Sequence, residues 1–303
     1  LSDVELRQLQ VGQNDLGGYV VPSEQVVRQL LQAVDDAVVI RSRATRITVP
    51  SAQSLGVPSL DSDPADADWT SELLTGNEDT AMRFGRRELH PHPVAKRIKV
   101  SAKLLRQATI DVEALIRARF AYKFGVTEER AFLTGDGVGK PLGLFVASAD
   151  GIPTSRDVSV STGAGATDIT FDGLIQAKYA LKAQYWARAA WLLHRDVVAK
   201  IAQIKDTGGQ YLWRESVREG EPDRLLGFPV LISEFAPNTF TSNAYIGILG
   251  DFSFYWIADS LDLQVQRLVE LYAEHNQVGF IFRRELDGMP VLAEAFVRLK
   301  LAA

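Results

Sequence analysis

The stretch Asp111-Val-Glu-Ala-Leu-Ile-Arg-Ala-Arg-Phe-Ala-Tyr-Lys-Phe-Gly-Val-Thr-Glu-Glu-Arg-Ala-Phe-Leu-Thr134, followed by Gly135-Asp-Gly-Val-Gly-Lys-Pro-Leu-Gly-Leu144, decides the fold. Its apolar residues Val112, Leu115, Ile116, Phe120, Phe124, Ala131 and Phe132 recur mostly at three- and four-residue spacings, the period of one buried helix face. Asp111 stands where an N-cap belongs, and Glu113 adds negative charge to the first turn. Gly135 ends the helix, and Gly137, Gly139, Pro141 and Gly143 prevent its restart. About 24 residues at ~1.5 Å rise make a rod of roughly 36 Å. That is long for a chain of this size, so the helix reads as a spine on which other parts lie.

The glycine run invites a second reading, as a phosphate loop. The spacing rejects it. A phosphate loop needs a glycine five residues before Gly-Lys and a Ser or Thr after it. Here Thr134 and Pro141 fill those positions, and the run follows a helix where a phosphate loop would precede one.

Upstream of the helix, Val94 to Val100 alternates crudely and reads as a strand. His90 and His92 suggest a metal pair, but two prolines and the lack of a third ligand in sequence favour a solvent-facing loop. Between 51 and 79 the chain carries Asp61, Asp63, Asp66, Asp68, Glu72, Glu78 and Asp79 with no basic residue. Arg83, Arg86, Arg87, Lys96, Arg97, Lys99, Lys103 and Arg106 follow, opposed only by Glu88. A connection of roughly 40 residues without its own core is rare in a compact domain, and a lone two-stranded ribbon is marginal in water. Three readings stay open: disorder, two solvated charge runs, or a ribbon completed on another chain. Trp69, Leu73, Leu74, Met82 and Phe84 argue for the last. At the N-terminus, Leu16–Pro22 reads as an extended piece, and Ser23–Val34 as a short amphipathic helix capped by Ser23.

Downstream, Ser155–Asp168 reads as a turn-rich loop with a short strand, and Thr170 starts a helix to about Gln184. Ala189–Leu193 and Leu226–Ile232 are short apolar runs, hence buried strands, and Arg214–Arg224 is a charged loop. His194-Arg195-Asp196 invites thoughts of a catalytic triad, but no Ser lies in a nucleophile-elbow context. Capping of the next helix, to about Lys205, by Asp196 is the expectation. Further strands are read at Tyr245–Leu249, Leu261–Val269, Gln277–Arg284 and Val291–Leu301, with turns at Gly250-Asp251, His275-Asn276 and Asp287–Pro290.

Bulk properties narrow the classes. The 303 residues suffice for one large domain or two, and 46% hydrophobic content argues against general disorder. No apolar run reaches the length of a membrane span. Cysteine is absent, which removes disulfides, thiolate metal sites and a cysteine nucleophile. A net charge of −5 argues against a protein that coats nucleic acid electrostatically.

Several pieces taken together resemble the major capsid proteins of tailed double-stranded DNA phages, with the Hong Kong 97-type shell fold. They are Val100-Ser-Ala-Lys-Leu-Leu105, the helix with Glu128-Glu-Arg-Ala-Phe-Leu133, and Thr134-Gly-Asp-Gly-Val-Gly-Lys-Pro-Leu-Gly143. Gly17–Pro22, Leu193–Asp196, Asp206–Leu212 and Leu226–Val230 keep the family's order. The resemblance implies an α+β fold with an N-terminal arm (1–50) and an extended β-hairpin loop (51–93). It also implies a peripheral domain with the spine helix (94–140 and 249–289) and an axial domain (141–248 and 290–303). The implied function is that of a non-enzymatic, cofactor-free and metal-free subunit assembling into pentamers and hexamers around the DNA genome. The place is the virion, with assembly in the host cytoplasm. The implied partners are other copies, the portal, scaffold or protease and decoration proteins, and packaged DNA held non-specifically. Removal of an N-terminal scaffolding segment before Leu1 is a further expectation. The same fold would serve an encapsulin-type nanocompartment shell as the alternative.

The sign change along the hairpin adds a mechanism. The acidic limb of one copy (Asp66, Asp68, Trp69, Glu72) meets a basic patch of the next (Arg83, Arg86, Arg87), setting register more than affinity. Some family members weld their shells by isopeptide bonds between a hairpin Lys and an Asn, with a Glu to take the proton. Asn276 falls on the acceptor position, and Arg283 on the glutamate position with Glu285 close by. The first lysine is Lys96, and Ser71–Thr75 stands where the nucleophile belongs, so the expected shell is non-covalent.

Overall fold

The computed structural model describes residues 38–49, 54–62, 83–108, 111–161, 165, 167–206, 208–213 and 223–302. The expected extended piece and helix before residue 38 lie outside them, as does most of the charged loop after residue 213. The described chain begins with a single turn, α1 (Ile40–Arg43), and a short strand, β1 (Thr45–Thr48). A ribbon follows: β2 (Leu55–Ser62) pairs antiparallel with β3 (Arg83–Leu89) and, among the described residues, with no other strand. Then come β4 (His92–Ser101), α2 (Ala102–Gln107) and the long helix α3 (Val112–Thr134).

The helix forms where its residues require it. Asp111 accepts a hydrogen bond from the Ala114 N–H at 3.0 Å, which satisfies one of the orphan donors of the first turn. Gly135 ends it, for a reason the sequence did not show. Its φ is −67°, so no left-handed turn is needed. The need is space: a Cβ there would lie 2.1 Å from the Pro141 carbonyl oxygen. The chain after Pro141 folds back so that Leu144 and Phe145 N–H donate to the carbonyls of Phe132 and Leu133 at 2.9 Å each. The returning loop thus satisfies last-turn carbonyls that would otherwise be orphaned.

The two halves of α3 serve two cores. Val112, Ile116 and Phe124 pack with Val100, Val278, Phe280 and Phe282. Phe120 stacks on Phe282 with centroids 4.3 Å apart and planes 7° from parallel. Phe132 and Leu133 instead enter the largest core, with Trp191, Ile248 and Phe296. Burying one such aromatic contributes about 1.5–3 kcal/mol, so both halves are firmly held.

Beyond α3 lie β5 (Asp157–Ser159), α4 (Phe171–Ala180), β6 (Ala190–Leu193), α5 (Arg195–Ala202), β7 (Arg224–Leu225), β8 (Phe228–Ile232) and β9 (Tyr245–Gly250). The chain ends with β10 (Tyr255–Leu268), β11 (Gln277–Pro290) and β12 (Phe296–Lys300). One sheet has the order β1-β10-β11-β4, and its strands β11 and β4 lie beneath the first half of α3. The other has the order β5-β12-β9-β6-β8-β7. The strand β12 returns the end of the chain to this second sheet, antiparallel to β9.

Several expectations needed correction. The strand β11 does not turn at Asp287–Pro290 but runs through it, pairing Met289 with Trp256 and Pro290 with Tyr255. The turn-like composition has a packing cause: a Cβ on Gly288 would lie 2.9 Å from the Tyr255 hydroxyl and 3.1 Å from Phe132. The helix begun at Thr170 stops at Ala180, and a separate 3-10 turn covers Ala183–Tyr185. The following helix α5 ends at Ala202, not near Lys205. Its cap is His194, whose Nδ1 accepts from the Asp196 N–H at 3.1 Å, and not Asp196. The strand read as Val291–Leu301 is interrupted by a 3-10 turn at Ala293–Ala295. The strand read from Leu261 starts at Tyr255, because its first residues lie buried between β1 and β11 and lose the alternation.

Candidate functional site

No group of three or more His, Asp or Glu is placed to hold a metal among the described residues. The polar chemistry of the chain gathers where three elements leave or join the body: the start of the described chain, the middle of α3, and the root of the ribbon.

The first cluster is a buried ion network. Glu128, 2% exposed, receives Arg41 Nη1 at 3.0 Å and Arg284 Nη1 at 2.8 Å. Arg41 also contacts Asp259 through Nη2, and Arg284 Nη2 lies 3.7 Å from the other oxygen of Asp259. Two cations thus alternate with two anions, joining α1, α3, β10 and β11. Burial pushes the Glu128 carboxyl above its ordinary range, against the pull of Arg284 and Arg41. Arg284 Nε and Asp259 Oδ1 find no hydrogen-bond partner. A network left partly unsatisfied adds little net stability but fixes the geometry of its members.

The adjacent Glu129 is fully buried and works differently. It accepts from the Ile40 N–H at 3.0 Å and from the Ser233 hydroxyl at 3.3 Å. The turn α1 has no side-chain cap of its own. A carboxylate from a distant helix supplies it and opposes the orphan donors of that turn. Burial raises the Glu129 carboxyl, and the backbone donors Ile40 and Val39 oppose that rise. The sequence marked both glutamates only as part of a family-like motif, with no partner for either, because those partners are distant along the chain.

The second cluster roots the ribbon. Leu89, 0% exposed, sits in a small core with Val49, Ala258 and Met289. Arg87 donates to the Pro290 carbonyl at 2.9 Å and to the Asp150 carbonyl. The His90 N–H donates to Asp287 Oδ2 at 2.7 Å, and Gly288 N–H to Asp287 Oδ1 at 2.7 Å. Burial raises the Asp287 carboxyl, and the two backbone donors and the nearby His92 and His90 oppose it. His90 is exposed and lies outside any strand, as the loop reading expects, while its backbone N–H is pinned to the body by Asp287.

The residues singled out from the sequence fare unequally. Asp66, Asp68, Trp69 and Glu72 lie outside the described residues. Arg83 and Arg86 belong to β3, paired with Ser62 and Pro58. Arg87 is committed to its own chain, as an anchor of the ribbon root. Asn276 is exposed and left-handed, with φ 52° and ψ 43°, and its carbonyl accepts from the Ala102 N–H at 3.0 Å. It closes the turn before β11, and Arg283 on that strand is exposed. His194 lies 3.4 Å from Glu234 through Nε2 and caps α5 through Nδ1, so both ring nitrogens face structural partners.

Comparison with known proteins gives a consistent picture. The family model described as "Phage capsid family" matches residues 17–301. The major capsid protein of Escherichia phage T5 is 22% identical over 198 residues, 62% of this chain. That match spans only 43% of the T5 protein's length. Among solved structures, the capsid of a native GTA particle is 31% identical, with a TM-score of 0.81 over 95% of this chain and 97% of that one. A chain from Microbacterium phage Oxtober96 shares the fold at 14% identity, with a TM-score of 0.71 over 97% and 99% of the two chains.

Proposed function

The chain belongs to the phage capsid family, and from that premise we propose that it is the structural subunit of a capsid shell. Copies assemble into pentamers and hexamers that enclose a double-stranded DNA genome, held together without covalent cross-links. The single observation that carries this reading is similarity along almost the whole chain, at 31% identity, to the capsid of a native GTA particle. A structural role fits the polar clusters, which join elements of the fold to one another.

The Hong Kong 97-type anatomy gives each part a role in this proposal. The ribbon β2–β3 is the stem of the extended loop, and residues 1–50 are the arm, tied to the body at Ile40 and Arg41. The sheet β1-β10-β11-β4 with α3 is the peripheral domain, and the six-stranded sheet is the axial domain. Portal, scaffold and decoration proteins are partners implied by the same reading. Each copy touches many others, so modest contacts add through multivalency, and closed symmetry limits growth.

Electron microscopy of the purified full chain tests the assembly: closed particles are expected, and a small soluble oligomer at high concentration would refute it. Denaturing electrophoresis of the particles tests the absence of cross-links. A single band at the subunit mass is expected, and a ladder of multiples would show that Asn276 or another acceptor is in use.

A further inference from the structure

We infer that the trough running along α3 beside β4 is a binding site for a single-chain carboxylate amphiphile, a fatty acid. Its carboxylate sits between Lys96 and Lys123, and its chain runs toward Pro141. The inference goes beyond the shell-subunit reading and does not depend on it.

The trough follows from how α3 lies on its sheet. The strand β4 ends the four-stranded sheet, with no strand beyond it among the described residues. A hollow of about 510 Å³ lies between it and the helix, floored by Val94, Phe120 and Phe124 and rimmed by Lys96, Arg119 and Lys123. A second hollow, of about 270 Å³, continues along the helix past Ala131 and Leu286 to Pro141. Val94 and Thr127 line both, so the two join end to end. The helical rise from Phe120 to Thr134 makes the trough roughly 20 Å long. An acyl chain spans half of a ~30 Å hydrocarbon core, about 15 Å, and so fits lengthwise. The floor is preformed: Phe120 is stacked on Phe282, and Phe124 is buried in the same core. Alternation along β4 puts Lys96 on the helix side with Val94 and Ile98, so its stem lies along apolar surface with its ammonium at the rim.

Charge sets the class of ligand and its direction. No carboxylate lines the larger hollow among the described residues, and its rim is cationic. Among the described residues no ion pair joins Lys96 or Lys123 to an acid. The cations at the other end are already engaged: Lys140 with Asp136 at 3.1 Å, and Arg130 over the Phe235 ring at 5.3 Å. Glu128 lines the smaller hollow and would repel an anion there. An anionic head therefore belongs between Lys96 and Lys123, and the methyl end at Pro141. A cationic amphiphile would meet like charge at the rim, and an uncharged one would leave the two ammonium groups unmatched.

Titration calorimetry of the full chain with dodecanoate, kept below its micelle concentration, tests the inference. Saturable binding at a single site per chain is expected. Decanoate should bind more weakly and tetradecanoate more tightly, by about tenfold for each pair of methylenes. Dodecanol should bind roughly tenfold more weakly than dodecanoate, the difference that two exposed ion pairs allow. Thr127→Trp places a ring where the two hollows meet and should abolish binding without moving the melting temperature. Lys96→Glu with Lys123→Glu should lose dodecanoate and bind dodecyltrimethylammonium more tightly than the parent does, a gain that misfolding cannot produce. No saturable binding, uptake at many weak sites, or a site indifferent to both variants would overturn the inference. None of these results bears on whether the chain forms particles, so either reading can fail alone.

Discussion

Glu129 accepts a hydrogen bond from the backbone N–H of Ile40 at 3.0 Å, across 89 positions of sequence. The contact fixes the turn α1, at the start of the described residues, against the body. A carboxylate does from the middle of one helix what a local Ser or Asp does for most helix starts.

Replacing Glu129 by Ala should therefore leave buried donors at Ile40 and Ser233 unpaired. The expected loss is about 1–3 kcal/mol in a denaturant titration. Glu129→Gln keeps an acceptor oxygen and should lose less. Equal losses for the two variants would mean that the hydrogen bond is not what matters there.

The ion network predicts a larger and asymmetric effect. Arg284→Ala removes the bidentate partner of Glu128 and Asp259 and leaves buried negative charge undercompensated. A loss of about 3–5 kcal/mol is expected for breaking such a network. Replacing Arg41, Glu128, Asp259 and Arg284 together by apolar residues of similar volume should cost much less than Arg284→Ala alone. Chemical denaturation of both variants makes the comparison.

The pH dependence has a definite sign. Glu128, Glu129 and Asp287 have carboxyls raised by burial above their ordinary values of 4.5, 4.5 and 3.8. The folded chain therefore binds these protons more tightly than the unfolded chain. Their contribution to stability falls as pH rises from those ordinary values through the folded ones. Glu129→Gln should remove its share, so the stability difference between the variant and the parent should grow in favour of the variant as pH rises from 4 toward neutrality. Melting curves at a series of pH values would check this, and a difference independent of pH would sink it.

The helix end gives a test of space against strain. A Cβ at Gly135 or Gly143 would meet backbone at 2.1 or 2.6 Å, so Ala at either position forces α3 and the returning loop apart. Gly139 has φ 65° but nothing within 4 Å, so Ala there costs only left-handed strain, about 1–2 kcal/mol. Gly135→Ala and Gly143→Ala should each lower the melting temperature clearly more than Gly139→Ala.

Much of the candidate site was hidden for one reason. Asp66, Asp68 and Glu72 stand out in sequence because charge runs are local. Glu128, Glu129 and Asp287 do not, because their partners Ile40, Arg284 and His90 are distant in sequence. Arg87 was grouped with the basic patch by its neighbours, and its bonds to two carbonyls far along the chain lie outside any local pattern. Asp287–Pro290 imitated a turn because the glycine that packing demands against Tyr255 and Phe132 is also the residue that turns prefer.

The amino-acid sequence by itself determined the long helix, its Asp111 cap, its end at Gly135, the membership of a mixed helix-and-sheet class, and the family. These follow from period, capping chemistry and the order of short motifs, all of which act within a few residues. Only the tertiary structure decided that this helix joins two cores, that its Glu128 and Glu129 turn inward to hold α1, and that β4 has no strand beyond it among the described residues. Those outcomes depend on which distant strands supply the opposing charge, donor or missing neighbour, and no local pattern encodes that.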